Sequence, residues 1–391
     1  MCARMTRSRL VVLTLLPFLM AVSGGCKPAS WSLWEKYSAR FIDPQGRVID
    51  PMRGGLTTSE GQSYALFFAL ADNDRERFDQ VLNWTQANLA SGDMSRHLPG
   101  WQWGKAQDGQ WKLLDGSPAA DSDCWIAYDL LEAGRLWKSP QYTLIGRAML
   151  TAIAQQEVAR IPGFGVMLMP GPSANFIHGE NWTVNPSYVP LFLFERFAAV
   201  DSSGPWSAIA ANIPRLLKLS NRGGFAMDWV TWEPVAGFVP AGGPEPPPAG
   251  QPAPPAYGSY DAIRVYLWAG MTDSSVPTRA ALLSSLSGMS SYLAQHGAPP
   301  EKVSDQGVPI QQDGPVGFSA AILPYLRALP QTETAVKQQQ QRIDGQLDPA
   351  SGLYGKNPAY YDQNLILFAN GFQENKFRFG PDGQLKVEWA H

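Results

Sequence analysis

Cysteine, histidine and charge are all scarce in this chain. Three cysteines in 391 residues cannot build a disulfide framework. Cys2 would leave with a leader, and Cys124 would then have only Cys26 as a partner. Cys124 is therefore expected to be a small buried apolar residue. Four histidines, with no HExxH and no CxxC pair, offer no ligand set for a catalytic metal, so neither metal nor cofactor is expected. Only 17% of residues are charged, the formal net charge is -3, and Lys and Arg form no run. That excludes a nucleic-acid partner. Beyond the N-terminus, no apolar stretch suggests a membrane span.

The N-terminus itself reads as an export signal over residues 1–25. Arg4, Arg7 and Arg9 precede an apolar stretch from Leu10 to Val22, and Ser23-Gly24-Gly25 follow. Pro17 and the short length argue against a membrane-spanning helix. Cys26 comes directly after the small residues, as at a bacterial lipoprotein cleavage site, although Ser23 replaces the usual Leu. Two outcomes stay open, a lipid anchor on Cys26 or a plain cut nearby. Either predicts an exported protein, periplasmic or secreted, with a membrane contact only through that anchor.

What remains, residues 26–391, reads as one all-α domain. Helix-period patterns dominate. One set of helices begins near residues 60, 122, 187, 259, 318 and 361 and is apolar on most faces, as in SEGQSYALFFALA and DCWIAYDLLEAGRLW. Helices of that kind are buried. A second set, near 30–40, 76–91, 142–160, 205–219, 276–296 and 331–344, is polar on one side. Six buried helices alternating with six surface helices predict two concentric rings. Antiparallel neighbours would gather all six inner N-termini at one end. Long loops (92–120, 161–186, 220–258, 297–317) fall at that same end, where function is expected. Residues 240–256 are Pro-rich and predict an extended surface loop. Strand signals are weak.

Three acids sit at predicted inner-helix starts. Glu60 follows Thr57 by three residues, the spacing of a capping box. A helix start also lowers a carboxyl pKa, which opposes general-acid work unless burial or a second carboxylate raises it again. Asp121 and Asp123 are natural N-caps. Asp261 precedes Arg264 by one helical turn. That spacing reads either as a surface ion pair or as a cation holding a base ionised. Recurrence of one residue type at three converging positions is the stronger signal, because paired carboxylates are the working groups of glycoside hydrolysis. Aromatic residues offer flat faces for sugar rings. Trp101 and Trp103 lie in PGWQWGK, Trp182 in GENWTVNPSY beside Tyr188, and Tyr260, Tyr360 and Tyr361 flank later helix starts.

At these residues the sequence resembles glycoside hydrolase family 8, from about residue 31 to the C-terminus. The segments that carry the likeness are RGGLTTSEGQSYALFFAL, ADSDCWIAYDLLEAGRLW, NPSYVPLFLFERFA, YDAIRVYLWAGM and YYDQNLILFA. The resemblance implies an (α/α)6 barrel and an inverting endo-hydrolase acting on β-1,4-linked glucan. It implies Glu60 as general acid, Asp261 as general base and Asp121 as the acid contacting sugar at the cleavage point. Tyr260 and Arg264 match the base's neighbours, and either Trp101 or Trp103 matches a subsite tryptophan. The branch it resembles most accompanies bacterial cellulose synthesis, which implies a cellulose synthase or export complex as a partner. The motif departs from the family at Ala120 (usually Ser or Thr) and Ser122 (usually Ala or Gly), with Cys124 and Trp125 following. A competing reading is a non-catalytic glucan-binding lipoprotein, in which the acids would be caps and ion pairs. Xylan, chitosan and mixed-linkage glucan are further substrates within the family.

Overall fold

Helices that are apolar on every side have nowhere to go except against one another, and six of them form the inner ring. In the computed structural model, which describes residues 30–245, 251, 254–311 and 313–390, α1 (Ser32–Phe41) opens an alternating series of helices. It continues through α2 (Ser59–Ala71), α3 (Arg75–Leu89), α4 (Ala120–Leu136), α5 (Pro140–Gln156), α6 (Leu191–Val200) and α7 (Trp206–Ser220). It ends with α8 (Ala262–Met271), α9 (Arg279–Ser284), α10 (Ser287–His296), α11 (Val316–Arg327), α12 (Glu333–Asp344) and α13 (Tyr360–Gln373). Helices α2, α4, α6, α8, α11 and α13 are the inner six, and the others lie outside them, giving an (α/α)6 barrel. The leader, Cys26 and the middle of the Pro-rich stretch lie outside the described residues.

The fifth outer position differs from expectation, since one helix was expected and two short ones stand there. The break at Ser285 and Leu286 lets Gly288 back onto Gly223, where a Cβ would meet the Gly223 carbonyl oxygen at 2.4 Å. Weak strand signals also understated the loops, which hold five small antiparallel sheets. The first sheet is β1 (Thr57–Thr58), β2 (Gly100–Lys105) and β3 (Trp111–Pro118). Next come the pair β4 (Val158–Ile161) and β5 (Gly165–Leu168), and the sheet β6 (Ile177–His178), β7 (Asn181–Val184), β8 (Trp229–Glu233) and β9 (Gly237–Ala241). Two hairpins complete the set, β10 (Lys302–Val303) with β11 (Pro309–Gln311) and β12 (Phe377–Phe379) with β13 (Leu385–Val387). Most of these strands are two to five residues long, too short for an alternating pattern to stand out in the sequence.

Aromatic rings fill the barrel axis. Phe368 of α13 meets Tyr64 and Phe67 of α2, Trp125 of α4 and Trp268 of α8 at centroid distances of 5.0–5.3 Å. Phe192 of α6 closes the circle against Trp125 and Trp268. Each of Tyr64, Trp125 and Trp268 lies one helical turn below a residue of the polar cluster described next, namely Glu60, Asp121 and Arg264. The i, i+4 relation puts both members of each pair on one helix face, so the rings form the floor under the charges. Far down α4, Tyr128 donates to the Gly383 carbonyl at 2.8 Å, and Glu132 accepts from the Leu385 amide at 2.9 Å. The β12–β13 hairpin thus closes the end of the barrel opposite the acids, with Phe379 stacked on Phe192 at 3.8 Å.

Candidate active site

Glu60 reaches the barrel mouth because another residue caps its helix. The expected capping box began at Thr57, but the hydroxyl of Thr57 is buried against the Val48 carbonyl at 2.6 Å. Thr58 is the cap, accepting from the Gly61 amide at 3.2 Å. This one-residue shift puts Glu60 in the first turn with its side chain free. Gly61 beside it is required by packing, since a Cβ there would lie 2.2 Å from the Tyr360 hydroxyl. Asp121 is likewise no cap. The cap position of α4 is Ala119, and Asp121 Oδ1 accepts from the Ser122 amide at 2.8 Å. Ser122 also ties the two helices, its hydroxyl 2.7 Å from that of Ser59.

All three acids converge on one cation. Arg264 Nη1 donates to Glu60 Oε2 at 2.5 Å, to Asp121 Oδ2 at 3.2 Å and to the Tyr64 hydroxyl at 3.0 Å. Its Nη2 donates to Asp261 Oδ1 at 2.5 Å. The Arg264 side chain is 2% exposed, so the Asp261–Arg264 pair is no solvated surface bridge. The reading of that pair as a surface interaction is therefore corrected. Asn185 holds the other oxygen of Asp261, donating from Nδ2 at 3.0 Å. Glu60 and Asp261 bind different nitrogens of a single planar guanidinium, which keeps the bonded oxygens within about 7 Å of each other.

One positive charge cannot balance three carboxylates gathered on it, so the cluster favours holding a proton. Burial pushes the Glu60 carboxyl up to about 7; Arg264 pulls it down, and the charges of Asp121 and Asp261 push it up again. Asp121 is also raised, by burial first, with Arg264 opposing. Glu60 is 23% exposed and Asp261 29%, so both acids reach solvent while the arginine does not. Glu60, pushed towards its protonated form, lies across the Arg264 guanidinium from Asp261, which accepts from two donors.

An open cleft of about 680 Å³ runs beside this cluster, lined by Trp101, Phe176, Tyr188 and Trp229 together with polar Asp115 and Asn175. Tyr188 belongs to both regions. It lines the cleft, and the Arg264 guanidinium lies 5.7 Å from its ring centre. The tryptophans of β2 part company at two register shifts on either side of Gln102. Trp101 lines the cleft, whereas Trp103 stacks on Trp111 at 5.2 Å with Arg47 against both rings. Trp182 packs half-buried against the core, and Trp229 of the neighbouring strand lines the cleft instead. Tyr260 and Tyr361 pair at the starts of α8 and α13, and Tyr361 lies near enough to the cluster to feel the charges of Arg264, Glu60 and Asp261. The two tyrosine rings are 5.7 Å apart, and the Tyr361 hydroxyl donates to the Tyr260 carbonyl. Tyr260 also reaches Glu301 through its hydroxyl at 3.3 Å.

Sequence reasoning passed over Asn185, Tyr64, Trp229 and Asp228. Tyr64 could have been found from its spacing of four below Glu60; Asn185 and Asp228 lie on loops and Trp229 on the short strand β8, and the placement of all three is tertiary. It also took Asp123 for a cap. Asp123 is fully buried against Glu157, and among the described residues no conventional donor reaches either carboxyl. The bond open to them is one carboxyl donating to the other, which requires a retained proton. Burial and the Glu157 charge hold Asp123 well above the usual carboxylate range, and burial raises Glu157 to about 8. Cys124 lies beside this pair, buried with a free thiol that burial pushes up. Among the described residues no group of His, Cys, Asp or Glu is arranged to hold a metal ion.

A helical barrel with carboxyls gathered on one arginine beside an aromatic cleft defines a class, the inner-and-outer-ring glycoside hydrolases. The chain belongs to glycosyl hydrolases family 8, whose pattern matches residues 5–375. It is 44% identical over 401 residues to an endoglucanase of Xanthomonas axonopodis pv. citri (strain 306), covering 98% of both chains. It is 41% identical over 388 residues to an endoglucanase of Escherichia coli (strain K12), covering 98% of this chain and 97% of that one. The crystal structure of an endo-1,4-D-glucanase from Vibrio fischeri ES114 superimposes with a TM-score of 0.81 at 36% identity, over 93% of this chain and all of the other.

Proposed function

We propose that this chain is an endo-acting β-1,4-glucanase that cleaves with inversion. One observation carries the reading, the attachment of Glu60, Asp121 and Asp261 to Arg264 at the edge of an open aromatic cleft. An open cleft suits a chain that enters along its length, and indole and phenol faces suit sugar rings. The relatives named as endoglucanases, and the solved structure named as an endo-1,4-D-glucanase, support a 1,4-linked glucan as the substrate.

In this mechanism Glu60 protonates the glycosidic oxygen as its bond to the anomeric carbon breaks. A water adds to that carbon from the opposite face and passes its proton to Asp261. Glu60 ends ionised and Asp261 protonated, and exchange with solvent restores both. Asp121 holds the sugar at the cleavage point, and its charge helps Glu60 keep its proton. Each proton transfer of this kind contributes roughly 10²–10⁴-fold to rate. The ceiling of about 7 Å set by the guanidinium reaches the near edge of the roughly 6.5–9.5 Å window that inverting enzymes use. Proton NMR of cello-oligosaccharide hydrolysis reads the outcome directly. The α-anomer should form first, and initial β-anomer would defeat the proposal.

The leader pattern supports a second part of the reading, that the protein works after export and trims glucan alongside cellulose synthesis. Recovery of the mature protein in the cytoplasmic fraction would rule this out.

A further inference from the structure

Asp261 stands at the start of α8 with its backbone already helical (φ -77°, ψ -51°), and its side chain makes no capping bond. A carboxylate at a helix start is drawn towards the unpaired amides there. Here the carboxylate points to Arg264 and Asn185 instead. The amides on either side of it have a different acceptor. Asp228, buried in the loop between α7 and β8, accepts from the Ser259 amide at 2.7 Å and from the Ala262 amide at 2.8 Å, both on Oδ1. Its own amide donates to the Tyr257 carbonyl at 3.0 Å, which fixes the loop against the segment it serves. Further bonds hold that segment in place: Ser259 Oγ donates to the Glu301 carbonyl at 2.6 Å, and Gly258 pairs with Val303.

We infer that Asp228 is a positioning residue that caps α8 on behalf of Asp261 and so frees the Asp261 carboxylate to serve as base. The inference rests on the reading of Asp261 as the proton acceptor. A helix start attracts a nearby carboxylate through its unpaired amides and its dipole. Without Asp228, the nearest carboxylate able to answer that attraction is Asp261 itself. It would turn back onto the helix and leave the face presented to water. Glu60 follows the same pattern, since Thr58 caps α2 and Glu60 stays free. Burial first, and then the charge of Asp261, raise Asp228 to about 7.

The test compares Asp228→Asn, Asp228→Ala, Asp261→Ala and the double variant Asp228→Ala/Asp261→Ala on a soluble cello-oligosaccharide. Asparagine keeps an acceptor oxygen at the same place, so Asp228→Asn should retain kcat within about fivefold. Asp228→Ala should lose kcat by on the order of 100-fold while KM stays within about twofold, because it removes the orientation of the base and no sugar contact. If Asp228 acts through Asp261, its removal should cost nothing further once Asp261 is gone. The double variant should therefore match Asp261→Ala within about twofold. Additive losses in the double variant would overturn the proposal, as would normal kcat in Asp228→Ala. Equal losses in Asp228→Ala and Asp228→Asn would also overturn it, by tying the effect to charge and not to the cap. Full activity in Asp261→Ala would instead remove the base assignment itself, which separates failure of that reading from failure of this one.

Discussion

Replacing Asp121 by Asn should move the alkaline limb of the pH–rate profile downward. Burial is the largest cause of the raised Glu60 carboxyl, and Asp121 supplies the largest neighbouring charge that pushes the same way. Both acids hang on Arg264 Nη1, at 2.5 and 3.2 Å, so their bonded oxygens are within about 6 Å of each other. At an effective dielectric of about 20, two full charges at that separation interact by about 3 kcal/mol, or roughly two pH units. Arg264 lies between the two acids and offsets part of that, which brings the expected movement to about one pH unit. With its midpoint near 7, Glu60 is about three-quarters protonated at pH 6.5, against about 1% for a carboxyl at 4.5. Moving the midpoint to about 6 would cut the active fraction at pH 7.5 by about eightfold. Initial rates of reducing-end release from a soluble cello-oligosaccharide, taken as kcat/KM across pH 4.5–8.5, read the limb directly. Loss of amplitude is expected too, because the proposed mechanism has Asp121 hold the sugar, but the midpoint does not depend on it. A limb that stays in place or moves upward in Asp121→Asn would refute the argument that Asp121 helps hold the proton on Glu60.

Two further outcomes follow from geometry elsewhere in the molecule. Trp101→Ala should raise KM about tenfold with little change in kcat, as expected for loss of one ring-stacking contact worth about 1.4 kcal/mol, whereas Trp103→Ala should leave KM alone and lower the urea midpoint; the reverse pattern in steady-state kinetics would reject the cleft lining described here. The Asp123–Glu157 pair should make stability fall as pH rises. Both carboxyls are raised in the fold, so their contribution is complete below about 4.5 and is lost as pH climbs through the folded value of Glu157, about 8. Glu157→Gln should remove roughly 3 kcal/mol of that decline between about pH 5 and 7.5, measured by urea unfolding at each pH. Identical slopes for the two proteins would show that the pair does not retain its proton.

The rings of helices were legible because burial on all sides leaves a composition that no surface helix shares. α2 and α11 are apolar around their whole circumference, while α12, with TAVKQQQQRID, is polar on most of it. The acids were legible as a recurring residue type at helix starts. Their freedom from capping was not, because it turned on Thr58 standing where Thr57 was expected, a single step along the chain. Asn185 and Asp228 left no local trace. Each acts on α8 from a loop whose position is fixed by contacts tens of residues away, 76 residues for Asn185 to Asp261 and 34 for Asp228 to Ala262. The division between Trp101 and Trp103 depended on a bulge that spacing alone does not reveal.

The Arg264 crossing point has a consequence for when this protein becomes dangerous to a polymer. Glu60 and Asp121 precede their shared cation by 204 and 143 residues, so the reactive centre is assembled by contacts among the longest in the chain. A polypeptide that ends before α8 holds Glu60 and Asp121 but not the arginine that gathers them. Activity is therefore expected to appear only with ring closure.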